Sequence, residues 1–189
     1  MIGLAVFLGL ALFLIVYLVM LYNGLVNLKH NVSKSLANID VLLKQRHDEL
    51  PKLIETCKQY MSYEQDTLSR VIEARQLVAN AQDKGDIKSL GAAETQMRSG
   101  LGQLFALAEN YPELKADEAF GKLQQRISGL ESAIADRREV YNEAVNNNNV
   151  RIEQFPDVIV ARLFNFKDFD LLSFRQEELA DVDVKALFN

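Results

Sequence analysis

Residues 2–22 read IGLAVFLGLALFLIVYLVMLY, with no Asp, Glu, Lys, Arg or His among them. As an α-helix this run is about 31 Å long, which matches the hydrocarbon thickness of a bilayer. A cleaved signal peptide is the competing reading. Against it, no basic residues precede the run, its apolar stretch is too long, and no small-x-small site follows Tyr22. Residues 1–22 are therefore expected to form one uncleaved transmembrane anchor.

Roughly 165 residues remain, enough for one soluble domain with a substantial core. A net charge of -5 and a pI near 5.1 give no overall attraction to phosphate. No stretch collects the dense Lys and Arg that a nucleic-acid groove needs, so nucleic acid is not an expected partner. Cys57 is the only cysteine. It excludes an intrachain disulfide and reads as a core thiol. Lys29, His30 and Lys34 follow the span with no acid before Asp40, and only the α-amino group precedes it. That imbalance predicts an N-terminus outside and a C-terminal domain in the cytoplasm.

Beyond Tyr22, Leu25, Leu28, Val32, Leu36, Ile39, Leu43 and Leu50 fall at helical spacing, so the anchor is expected to continue into an amphipathic helix. Proline removes an amide donor and crowds the preceding turn, which predicts a reversal before Pro51. The alternative is one very long helix that Pro51 only kinks. A second helix carries Leu53, Ile54, Cys57, Met61, Leu68, Val71, Ile72, Val78 and Ala79 and stops at Gly85, with Asp86 capping the next. The third runs through Leu90, Ala93, Met97, Leu101, Leu104, Ala108 and Tyr111 to Pro112. The fourth restarts at Asp117 and reads Phe120, Leu123, Ile127, Leu130, Ile134, Tyr141, Val145 and Ile152, a stripe suited to coiled-coil-like packing. Asn146 to Asn149 either end this helix early or are held within it by the apolar pairs on both sides. Short links between helices make antiparallel neighbours, so residues 23–154 are expected to form an up-down four-helix bundle.

That path returns the chain to the bilayer after the fourth helix. Residues 155–174, FPDVIVARLFNFKDFDLLSF, hold Phe155, Phe164, Phe166, Phe169 and Phe174, half of the chain's ten phenylalanines. Three roles stay open for this amphipathic segment: capping the bundle, lying in the membrane interface, or self-association. Residues 175–189 are acidic through Glu177, Glu178, Asp181 and Asp183 and read as a flexible tail or docking peptide.

Catalytic signatures are missing from the sequence. A di-iron bundle needs Glu-x-x-His pairs, but Asn27 and Lys44 stand three residues before His30 and His47. No ligand spacing suits zinc, and Gly85, Gly91, Gly100 and Gly102 belong to a turn and a helix face rather than a phosphate loop. Cys57 on an apolar stripe is expected to be buried. Charged pairs such as Asp40 with Lys44 or Glu131 with Arg138 read as a solvated face. Arg137 falls near the apolar stripe, where a guanidinium would need a carboxylate partner.

Several strings recur together in one known family. They are Tyr22-Asn23 with Leu25-Val26; Asn38-Ile39-Asp40-Val41, then Leu43-Lys44 and Arg46; Leu50-Pro51 with Leu53, Glu55 and Thr56; and Tyr60 with Glu64. Tyr111-Pro112-Glu113-Leu114-Lys115-Ala116, Leu123-Gln124, Arg138, Tyr141-Asn142-Glu143-Ala144-Val145 and Phe155-Pro156 continue the pattern. In order and spacing, from the anchor to about Phe166, the chain resembles the bacterial LemA family of single-pass membrane proteins. The resemblance implies an N-terminal span in the inner membrane, a four-helix bundle and a short N-terminus outside the cell. It implies no settled activity, although some relatives take part in forming magnetosome membranes. The chain departs from the pattern at Lys34 to Leu36, where a small residue and Trp are usual, and at Asn148, where an aromatic is common. No aromatic contact is carried over to either place.

The expected function is a non-enzymatic, membrane-anchored scaffold that forms homo-oligomers and organises the lipid bilayer or membrane-protein partners. The alternative is a regulatory adaptor for an integral-membrane enzyme such as a protease or sensor kinase. No catalytic, cofactor or metal residue is assigned. The candidate interface residues are Phe155, Phe164, Phe166, Phe169 and Phe174. Tyr22, Asn23, Asn38, Asp40, Lys44, Pro51, Tyr111, Pro112, Arg138, Tyr141, Asn142, Phe155 and Pro156 carry the family pattern without an assigned role.

Overall fold

A computed structural model describes residues 2–173, and among these the regular structure is all α-helical. The helices are α1 (Ile2–Tyr60), α2 (Gln65–Lys84), α3 (Ile87–Ala108), α4 (Pro112–Ala116), α5 (Glu118–Glu153) and α6 (Asp157–Leu163). Six helices thus stand where the periodicity predicts four, the additions being the one-turn α4 and the short α6. Phe174 and the acidic stretch 175–189 lie outside the described residues.

Contacts divide the described chain into two compact units, one of residues 2–42 with 133–171 and the other of 43–132 with 172–173. In the second unit, the expected reversal before Pro51 does not occur. α1 runs through Pro51 to Tyr60, and the chain turns at Met61 to Glu64 instead. The reason is a distant side chain. Proline has no N–H to give the carbonyl of His47, four residues back. Arg75 of α2 fills the vacancy, donating from Nε to His47 O at 3.1 Å, with Nη2 2.6 Å from His47 Nε2. Burial, and then the charge of Arg75, lower the pKa of His47.

The later boundaries follow local chemistry. Gly85 takes φ 63°, and the amides of Gly85 and Asp86 bond to the carbonyls of Gln82 and Ala81 at 3.0 and 3.1 Å, ending α2 in a left-handed cap. Asp86 then caps α3 by accepting from Ser89 N at 3.0 Å. The two-residue link turns α3 back onto α2, where Gly100 faces Val71: a Cβ there would stand 3.4 Å from Val71 Cγ2, at ordinary van der Waals distance. Pro112 opens α4 as its first residue, and Asp117 caps α5 through the amides of Ala119 and Phe120. Leu50, Leu53, Cys57, Val71, Met97, Leu104 and Ile127 are among the buried core. Burial pushes the Cys57 thiol up to about 11, so it stays protonated at neutral pH.

In the first unit α5 continues unbroken through Asn146 to Asn149, with Tyr141 and Val145 buried on its inner face. Arg137 is exposed, and Arg138 is the half-buried residue on the seam. The steps explain this: from Ile134 to Tyr141 the alternation of four and three passes through 138.

Candidate membrane-interface site

α1 carries the one helical stretch among the described residues that is long and apolar enough to cross a membrane, and residues 2–20 of it are almost wholly uncovered. Where this stretch ends, Leu21 and Leu25 pack with Val160 and Ala161 of α6 into a small core, joined by Ile152 and Phe166. Tyr22 stands beside it. Its ring centroid lies 4.8 Å from that of Phe164 and 5.8 Å from that of Phe166, in tilted and edge-on geometry. The aromatic segment is thereby brought to the end of the apolar run.

How the chain gets there is set by polar groups. Arg151 near the end of α5 reaches Asp157 in the first turn of α6 at 2.8 Å. Asn165, at φ 55°, ends α6 in the same left-handed cap as Gly85, with Phe166 N donating to Ala161 O at 2.9 Å. Residues 165–171 then run without regular structure along α5. Asn149 receives a bond from Phe169 N at 3.0 Å and donates to Phe169 O at 2.9 Å, pairing with the backbone as a neighbouring strand would. Asn148, buried, donates to Lys167 O at 3.3 Å, and the Tyr141 hydroxyl donates to Asp170 O at 2.9 Å. Burial first, and then Asp170, push the Tyr141 hydroxyl up to about 12. Asparagine is a weak helix former, but here its amides supply partners that the strap's backbone would otherwise lack.

Of the predicted interface residues, Phe166 and Phe169 are half-buried in this arrangement, while Phe155 is 81% and Phe164 56% exposed. Ile159 and Leu163 of α6 are exposed as well. Among the family-pattern positions, Tyr141 is buried and Asp40, Asn142 and Pro156 are half-buried, the last after a cis Phe155-Pro156 bond. Asn23, Asn38, Pro51 and Pro112 are exposed. Lys44 pairs with Asp48 at 3.4 Å across an exposed turn. Tyr111 donates to Glu64 at 3.0 Å, and Tyr60 to Asp117 at 2.9 Å.

Sequence reasoning missed a fully buried charge. Arg46 is 1% exposed and grips both oxygens of the equally buried Glu94, one of them at 3.0 Å, while its Nη1 reaches Glu131 at 2.5 Å. Arg98 adds a contact to Glu131 at 3.6 Å. Glu131, read as part of a solvated face, therefore belongs to a network joining α1, α3 and α5. Burial would lower the Arg46 pKa, yet Glu94 and Glu131 together hold it above the ordinary value. Burial raises the pKa of Glu94 against the pull of Arg46. A signal existed: the apolar stripe skips from Leu43 to Leu50, and Arg46 occupies the missing seam position. No three His, Cys, Asp or Glu side chains are grouped to hold a metal ion among the described residues.

An all-helical fold with an uncovered apolar N-terminal helix defines a membrane-associated helical protein. The chain belongs to the LemA family, whose model matches residues 35–186. Its relatives include Magnetosome protein MamQ 2 of Paramagnetospirillum magneticum and Magnetosome protein MamQ of Magnetospirillum gryphiswaldense. Each is 23% identical over 173 residues, covering 79% of this chain and 64% of the relative. Protein LemA of Metamycoplasma hominis is 26% identical over 168 residues, covering 88% of this chain and 75% of that protein. The chain therefore spans 64% of the length of the MamQ proteins.

Proposed function

We propose that the chain is a non-enzymatic membrane scaffold. Residues 1–22 are its anchor in the bacterial inner membrane, and its helical body, read as an up-down four-helix bundle with α4 and α6 as short inserts, associates with further copies and organises the bilayer or its proteins. The observation that carries this reading is the uncovered apolar segment of α1, with Phe164 packed against Tyr22 at its end and Phe155, Ile159 and Leu163 also left exposed. Side chains of that size stay exposed where lipid or another protein covers them. The likeness to magnetosome proteins supports a role in membrane organisation.

The mass of the full chain in mild detergent, by light scattering after gel filtration, tests the self-association. A discrete oligomer is expected. A monomer that gains mass only with a co-purified membrane enzyme would replace the scaffold with the adaptor reading. For orientation, the body is placed in the cytoplasm on the strength of Lys29 and Lys34. With Cys57→Ala in the background, Ser62→Cys in the exposed turn after α1 should resist a membrane-impermeant maleimide in intact cells. Rapid labelling there would reverse the topology.

A further inference from the structure

At the end of the apolar run the first unit encloses a cleft of about 630 Å³, the size of a small-ligand site. One wall is the α1 face bearing Tyr22, Val26, Lys29 and His30, which stand four, seven and eight residues on from Tyr22 and so project together. The strap from Phe164 to Phe169 forms the opposite wall, and Asn148 lines the cleft from α5. Because Asn148, Asn149 and the Tyr22 ring hold that strap, the cleft is a built feature and not a chance gap.

We propose that this cleft seats the phosphate headgroup of one anionic phospholipid, whose acyl chains lie along the uncovered apolar face of α1. The inference rests on the reading of residues 2–22 as a membrane span. Position is the first argument. Lys29 stands roughly 10 Å beyond Tyr22 along the helix, and the headgroup layer is roughly 5–8 Å deep on each side of the hydrocarbon. A lysine stem is long enough to carry its ammonium back across that difference. Charge is the second. Lys29 and Lys167 face the cleft from its two walls, with the His30 imidazole as a further donor, against the single carboxylate of Asp168. A chain of net charge -5 has no general pull on anions, so this cationic pair is a local feature. The third argument is the rim: tyrosine settles at the level of headgroups, and Tyr22 stands there against the exposed apolar ring of Phe164.

The test uses the full chain in mild detergent, titrated with phosphatidylglycerol, phosphatidylcholine or inorganic phosphate and read by native mass spectrometry. One phosphatidylglycerol should be retained in preference to phosphatidylcholine. Each lysine near an anionic lipid is worth roughly fivefold, so Lys29→Gln with Lys167→Gln should remove most of that preference. Lys34→Gln, whose residue lies outside the cleft, should leave it, and Lys29→Arg with Lys167→Arg should retain it. Both lysines are exposed, so an unchanged thermal melt is expected for the Gln pair. Equal retention of the two lipids, or a preference that survives the Gln pair, overturns the proposal. So does retention of inorganic phosphate without any lipid preference. Alkaline carbonate extraction from vesicles separates the two readings. Release would remove the membrane span itself, whereas firm retention together with equal lipid binding would remove only the headgroup site.

Discussion

Replacing Arg46 with Met probes the buried network most directly. The guanidinium is 1% exposed and supplies two bonds to Glu94, which is itself 1% exposed, so Arg46→Met leaves a carboxylate in the core without its cation. Glu131 suffers less, because it is 17% exposed and keeps Arg98. Breaking one side of a buried pair costs about 3–5 kcal/mol, which for a domain of this size lowers the melting point by about 6–20 °C. Arg46→Met with Glu94→Leu removes both charges and should recover most of the loss, since apolar replacements of buried pairs are often neutral or better. Acid gives an independent signature. The folded pKa of Glu94 is already raised by burial, and losing Arg46 raises it further. A group with a raised folded pKa contributes most below its unfolded value and loses that contribution as pH climbs through the folded one. The deficit of Arg46→Met against the parent should therefore shrink as pH falls from 7 toward 4.5, the ordinary value for the carboxyl. Circular dichroism melts of the full chain in detergent, at pH 5 and pH 7, measure all of this. A single variant melting within about 2 °C of the parent at pH 7 would refute the argument, given the expected range.

Arg75→Leu should cost about 1 kcal/mol by orphaning the His47 carbonyl, and adding Pro51→Ala should cancel the loss, because residue 51 then supplies the missing amide. Additive effects in that double-mutant cycle would sink the account of how α1 passes Pro51. His47 itself has a lowered folded pKa, so its contribution is present above 6.5 and fades as pH falls through the folded value; His47→Gln should flatten that part of the stability curve. Gly91→Ala would set a Cβ 2.3 Å from the Ser173 carbonyl, so it should displace residues 172–173 from α3. Faster hydrogen exchange near Leu172 would report the displacement, and unchanged exchange would count against that contact. Asn149→Ala should speed exchange at the Phe169 amide about fivefold if that bond is worth the usual ~1 kcal/mol, with the melt of α5 little changed.

Boundaries that depend on adjacent residues were legible. Gly85, Asp86 and Asp117 act on amides and carbonyls within a turn of themselves, and the apolar run announces its helix by length alone. Pro51 was misread because the group that rescues its helix, Arg75, comes from another helix, and nothing in the local sequence points to it. The same limit hid the strap. The run of asparagines left open whether the helix ends or continues there, and nothing local shows that the amides of Asn148 and Asn149 serve residues 167–169, a pairing that only the folded chain brings about. Of the segment that follows α5, the aromatic character was readable, while its contact with Tyr22 and its polar fastening were not.

These misses share one physical cause. A stripe of apolar residues says which face of a helix is inward, but it leaves register open, because one leucine fits against another at several offsets. A polar residue on the seam does not have that freedom. Arg46 must meet Glu94, and Asn149 must meet the backbone at Phe169; sliding either helix by a turn leaves a buried charge or amide without a partner. Such positions interrupt the apolar repeat at 46 and 148, so they look like weaknesses when hydrophobicity alone is counted. In this chain they carry the specificity. Arg46 fixes how α1, α3 and α5 meet in one unit, and the asparagines fix the strap that closes the cleft in the other. Replacing Asn148 with the aromatic usual in the family should therefore strengthen the apolar seam of α5 while loosening the strap at Lys167, two effects that a melt and an amide-exchange profile would separate.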